Sequence, residues 1–87
     1  MDWSEKINKA VKYIEDNITN NISINEIADN SYISRSHFQK VFKSLIGVSV
    51  HEYITKRKLA LASHDLLESN EKIIDIASKY GYDHDTF

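Results

Sequence analysis

The 87-residue chain has no cysteine, which removes disulfide frameworks, thiolate zinc fingers and cysteine nucleophiles by counting alone. It has no proline and two glycines, Gly47 and Gly81; with 41% apolar and 28% charged residues, this excludes collagen-like, Pro-rich and disordered classes. Long apolar runs are also missing. The longest extends only from Leu59 to Ala62, and no basic segment leads into an apolar one at the N-terminus, so neither a membrane span nor a signal peptide is expected. A second independent core has no room at this length. These absences leave one small all-α domain, or a piece of a longer chain, in a reducing, cytoplasmic setting.

Net charge is -2, but the charges are unevenly placed. Residues 1–34 carry three lysines against six acids, and residues 59–87 two lysines against six. Between them, Arg35, Lys40, Lys43, Lys56, Arg57 and Lys58 face only Glu52. The middle of the chain is therefore a basic island, the kind of distribution that a whole-chain average conceals.

Apolar spacing divides the chain into helices. Trp3, Ile7, Val11, Ile14 and Ile18 recur every three or four residues and predict a first helix from about Asp2 to Ile18, closed by Thr19-Asn20-Asn21. Ser23 precedes Glu26 by three residues, a capping box, and opens a second helix with Ile24, Ile27 and Ala28 inward. Ser34 caps a third helix whose core positions are Phe38, Val41, Phe42 and Leu45, and Gly47 stops it in a left-handed conformation. Ser49 and Glu52 repeat the capping box before a long fourth helix reaching about Leu67. Its two apolar stripes, Tyr53, Ile54, Ala60, Leu61 and Leu67 on one side and Leu59, Ala62 and Leu66 on the other, predict packing on both faces. Ile73, Ile74, Ile76, Ala77 and Tyr80 form a fifth helix ended by Gly81, and Asp83 is placed to cap a sixth.

A shift of 49 residues aligns Ile24 with Ile73, Glu26 with Asp75, Ile27 with Ile76, Ala28 with Ala77, Ser34 with Asp83 and Phe38 with Phe87. Each copy has a short Ile-Ala helix, a turn, and a second helix anchored by an aromatic residue. That is a helix-turn-helix plan, whose second helix lies in a DNA major groove. The copies organise the chain as a first unit (1–47), a linker helix (48–68) and the start of a second unit (69–87).

On a wheel of about 100° per residue with Phe38 at zero, Gln39, Lys43, Ser36 and Lys40 occupy about 100° to 200°, opposite the core. Arg35 starts the same helix, and no acid occurs from there to Val50. Gln suits an adenine edge, Lys or Arg suits guanine O6 and N7, and Ser is short enough for several geometries. An Arg at a helix start can instead hold phosphate.

The run Ala28, Ser34, Phe38, Phe42-Lys43, Gly47, Tyr53, Arg57, Ala60, then Ile76-Ala77 and Gly81-Tyr82 resembles the DNA-binding domain of AraC/XylS-type bacterial transcription regulators over almost the whole chain. The resemblance implies two homeodomain-like, tri-helical helix-turn-helix units joined by a long helix, with two recognition helices entering successive major grooves. It implies that Arg35, Ser36, Gln39 and Lys40 read bases, while Lys43, Lys56, Arg57 and Lys58 are the expected phosphate contacts. Bracing of the two units through buried carbonyls is the competing role for Arg57. Double-stranded DNA is the implied partner, with RNA polymerase and an effector ligand, bound by a further C-terminal domain, as partners of the complete protein; Met1 directly precedes helix 1, as in members whose DNA-binding domain comes first. The second recognition helix is expected beyond Phe87.

Departures from the family pattern are Tyr32 where the first turn often has Gly, Val50 in place of a frequent Pro, and one residue fewer between Tyr82 and Phe87. No catalytic, cofactor or metal residues are expected. His64 with Asp65 and the Asp83-His84-Asp85 run are the nearest approach to an acid–base set, but adjacent helical residues point apart and such a run suits a helix cap. A helical protein-interaction module using Trp3, Tyr32 and Tyr53 is the alternative function.

Overall fold

The computed structural model describes residues 3–30 and 32–81, and its described part contains five helices and no strand. They are α1 (Trp3–Asp16), α2 (Ile24–Asn30), α3 (Arg35–Ile46), α4 (Val50–Glu68) and α5 (Ile73–Lys79). The all-α expectation and all five helix positions hold. The sixth helix expected after Asp83 lies outside the described residues.

Helix ends follow the local chemistry. Ser23 Oγ accepts from the Glu26 N–H at 3.1 Å, Ser34 Oγ from His37 N–H at 3.3 Å, and Ser49 Oγ from Glu52 N–H at 3.1 Å. Each serine satisfies one amide that lacks an intrahelical partner. At the other end of α3, Gly47 adopts φ 95° and its N–H donates to the Lys43 carbonyl. One boundary differs from the sequence reading: α1 ends at Asp16, not Ile18, because Asn17 caps it by donating Nδ2–H to the Tyr13 carbonyl at 2.9 Å. Ile18 is nonetheless buried in the following turn.

Helices α1, α2 and α3 pack together around Ile7, Ala10, Ile14, Ile18, Ile27, Ala28, Phe38 and Phe42, all buried. Ala10 completes the inner face of α1, where a residue this small allows close helix approach, a role that the spacing of large apolar residues did not signal. Leu45, expected in the core, is 49% exposed: it falls on the last turn of α3 and lines an open groove with Trp3, His37 and Val41. Helix α4 leaves this bundle from buried Val50, touches α3, and carries α5 near its far end. Its length gives the molecule extents of 46 × 24 × 19 Å.

The 49-residue repeat is visible in three dimensions: α2 begins at Ile24 and α5 at Ile73, both are seven residues long, and Ile27 and Ile76 are both buried. Packing around the copies differs. Ile73 is 70% exposed and Leu67 84%, and Leu59, Ala62, Leu66, Ile73, Ile76 and Ala77 line an open apolar groove. The second stripe of α4 is thus present but only partly covered by described residues.

Tyr32 has φ 59° and its side chain is 91% exposed. A Cβ in the left-handed region is strained, and this ring recovers little by packing. Tyr32→Gly is therefore expected to be more stable than Tyr32→Ala by about 1 kcal/mol, read from the urea midpoint at constant slope. Equal midpoints would show that the turn is not strained.

Candidate nucleic-acid interface

Helix α3 is fixed from beneath by Phe38 and Phe42, both fully buried, with ring centroids 5.7 Å apart. Phe42 also meets the Tyr53 ring edge-on at 5.7 Å, which ties α3 to α4. With the inner face thus anchored, Arg35, Ser36, Gln39, Lys40 and Lys43 all emerge on exposed positions. His37 leans toward α1, its ring 4.9 Å from that of Trp3.

Helix α4 divides its three expected phosphate contacts. Lys56 is exposed and pairs with Glu52 at 3.2 Å, one turn earlier. Lys58 is half-buried and, with Arg35, lines a cleft of about 430 Å³ between α2, α3, α4 and the end of α5. Arg57 goes elsewhere. Its Nε lies 3.1 Å from both Glu15 carboxylate oxygens and its Nη2 donates to Oε1 at 2.8 Å, while Tyr53 Oη donates to Oε2 at 3.2 Å. The guanidinium is thereby committed to a clamp between α4 and α1, and its partner is a carboxylate, not the carbonyls that a brace between the units would use.

Hydrogen bonding from Arg57 is the main reason the Glu15 carboxyl sits below the usual glutamate range, outweighing the opposing effect of burial. A carboxyl whose folded-state value is lowered contributes stability above its unfolded value and loses it as pH falls through the folded value. Both partners are about one-third exposed, so the contribution is screened to at most about 1 kcal/mol. Acidification below about pH 4.5 should therefore destabilise the wild type more than Glu15→Gln. Parallel stability–pH curves for the two proteins would remove the clamp.

A second carboxylate clamp joins α4 to α5. Tyr80 Oη donates to Asp65 Oδ2 at 2.7 Å, and Lys79 Nζ lies 3.0 Å from the same oxygen. These bonds, that from Tyr80 foremost, hold the Asp65 carboxyl below its usual range. Asp65 is thus engaged in structure, with His64 4.0 Å away and largely exposed. The run Asp83-His84-Asp85 lies outside the described residues.

Neither clamp was found from sequence. The four-residue spacing of Tyr53 and Arg57 places them on one face of α4, but Glu15 is 42 residues from Arg57 and no local pattern selects it. Trp3, Tyr32 and Tyr53 do not act together as one aromatic surface: Trp3 packs on His37, Tyr53 on Phe42 and Glu15, and Tyr32 projects from the turn.

A helix-turn-helix unit that presents a basic and amide-bearing face, joined through one long helix to a second short Ile-Ala helix, agrees with the comparison to known proteins. The family described as Helix-turn-helix domain matches residues 27–87. The chain belongs to the AraC/XylS family of DNA-binding transcription regulators. It is 38% identical over 80 residues to the HTH-type transcriptional activator AarP of Providencia stuartii, covering 92% of this chain and 59% of AarP. It thus spans about three-fifths of that relative. Among solved structures, an AraC-type regulator from Chromobacterium violaceum superposes with TM-score 0.84 at 26% identity, over 91% of this chain and 70% of that one. The DNA-binding domain of AdpA, solved with a target DNA, shares the fold with TM-score 0.83 at 19% identity, over 88% and 69%.

Proposed function

We propose that this AraC/XylS-type chain regulates transcription by inserting α3 into a DNA major groove, where Arg35, Ser36, Gln39 and Lys40 face base edges. Lys43, Lys56 and Lys58 contact phosphates, and Arg57 braces the α4–α1 contact. One observation carries the reading: the outward face of α3 holds cationic, amide and hydroxyl side chains, with no acid from Arg35 to Val50 and no ion pair to Arg35, Lys40 or Lys43 among the described residues. By the 49-residue repeat, the second recognition helix of the complete protein lies beyond Phe87. In the complete protein the partners are DNA and RNA polymerase, with an effector bound by a further domain, and the setting is the bacterial cytoplasm. No described helix is long and apolar enough to cross a membrane.

The test uses duplexes selected from a random-sequence pool by the wild-type protein. Gln39→Ala is expected to lose about 1 to 3 kcal/mol on the selected duplex and to relax base preference at one position. Lys43→Ala, one turn further along α3, should weaken selected and scrambled duplexes equally. Equal losses on both duplexes for Gln39→Ala would refute base reading by this residue.

A further inference from the structure

The cleft that Arg35 shares with Lys58 contains a third cationic candidate that neither the charge count nor the family resemblance singled out. His51, in the first turn of α4, lines it together with Ser23, Thr55 and Gly81. Among the described residues, no carboxylate does. Glu52, the acid adjacent to His51, is drawn off by Lys56 at 3.2 Å, and the Tyr80 hydroxyl at the far wall is bonded to Asp65, which is not in the lining. Lys58 reaches across to the second unit: a Cβ placed on Gly81 would lie 3.7 Å from its Nζ. Arg35, His51 and Lys58 have no ion pair among the described residues. Two cations and an imidazole, drawn from α3 and α4 and lining one cleft of about 430 Å³, make a place suited to an anion with several acceptor oxygens.

We propose that this cleft between the two units seats one backbone phosphate of bound DNA, with His51 and Lys58 as its ligands and Arg35 holding it from the start of α3. The proposal rests on the DNA-binding reading above. DNA is favoured over a small free anion because Arg35 belongs both to the cleft and to the helix assigned to the groove, so a duplex engaged by α3 brings its backbone to this wall. The same placement gives Arg35 a phosphate contact in addition to its base contact.

The experiment uses the full chain and a duplex selected from a random pool, with methylphosphonate replacing each phosphate in turn. His51→Gln and Lys58→Gln should each weaken selected and scrambled duplexes by the same factor, about threefold to tenfold, and Lys58→Gln should make the salt slope shallower by about 0.9. One methylphosphonate position should weaken the wild type yet leave a protein carrying both His51→Gln and Lys58→Gln no weaker. If the wild type selects DNA but both variants bind like it, or no phosphate position is shared, the seat is overturned while the DNA reading stands. If the wild type selects no duplex, both fall. If millimolar inorganic phosphate alone shifts the His51 resonance as fully as DNA does, the cleft is a free-anion site and the DNA assignment is overturned.

Discussion

Phe42→Ala is expected to destabilise the domain by about 3 to 5 kcal/mol, lowering its thermal midpoint by roughly 15 °C or more. Phe42 has no exposed surface, packs on Phe38, and meets Tyr53 from α4 edge-on. Removing the ring leaves a cavity under α3 and loosens Tyr53, one of the two donors to Glu15. An 87-residue domain has a total stability of only about 4 to 13 kcal/mol, so the variant should be near the edge of folding. Leu45→Ala is the control. Both residues lie on the inward arc of α3 by helical spacing, but Leu45 is 49% exposed and its truncation should cost under about 1 kcal/mol. Similar midpoints for the two variants would mean that α3 is seated differently.

Affinity for a selected duplex should fall steeply with salt, with a slope of about -3.6 per log unit if four of the basic-island cations neutralise phosphates. Arg35, Lys40, Lys43 and Lys58 have no ion pair among the described residues, whereas Arg57 is committed to Glu15 and Lys56 shares its charge with Glu52. Tenfold more salt then weakens binding by a factor of several thousand, larger than the effect of any single base contact. Arg57→Ala should leave the slope unchanged while lowering stability, which separates its bracing role from phosphate contact. A slope near zero would count against the basic island as the binding face, and a slope shallower by about 0.9 in Arg57→Ala would return that residue to the DNA.

The features that could be read from the chain are those set by neighbours a few residues apart. Ser23, Ser34 and Ser49 cap their helices because a hydroxyl reaches an amide three residues on, and Gly47 and Gly81 end α3 and α5 with positive φ, at 95° and 84°. The outward arc of α3 followed from Phe38 and Phe42 alone, since the side of a helix opposite two buried aromatics has to face out. The repeat placed α2 and α5 in register for the same reason, one local pattern recurring after 49 residues.

What depends on residues far apart in sequence was settled only by the tertiary structure. The charge pattern of α4 presents Lys56, Arg57 and Lys58 as one basic run, yet successive helical residues point about 100° apart, so each meets a different neighbourhood. Packing against α1 gives Arg57 a carboxylate, Lys56 finds Glu52 on its own helix, and Lys58 is directed with His51 and Arg35 into the cleft. Leu45 and Leu67 likewise fit apolar stripes but are exposed, because a stripe says that a face is apolar and not whether another helix covers it. The sequence by itself determined the helices, their caps, the repeat and the outward face of α3, all governed by contacts within one or two turns. The tertiary structure decided which cations remain free of ion pairs and which converge, because that depends on where α1, α3 and α5 meet the long helix.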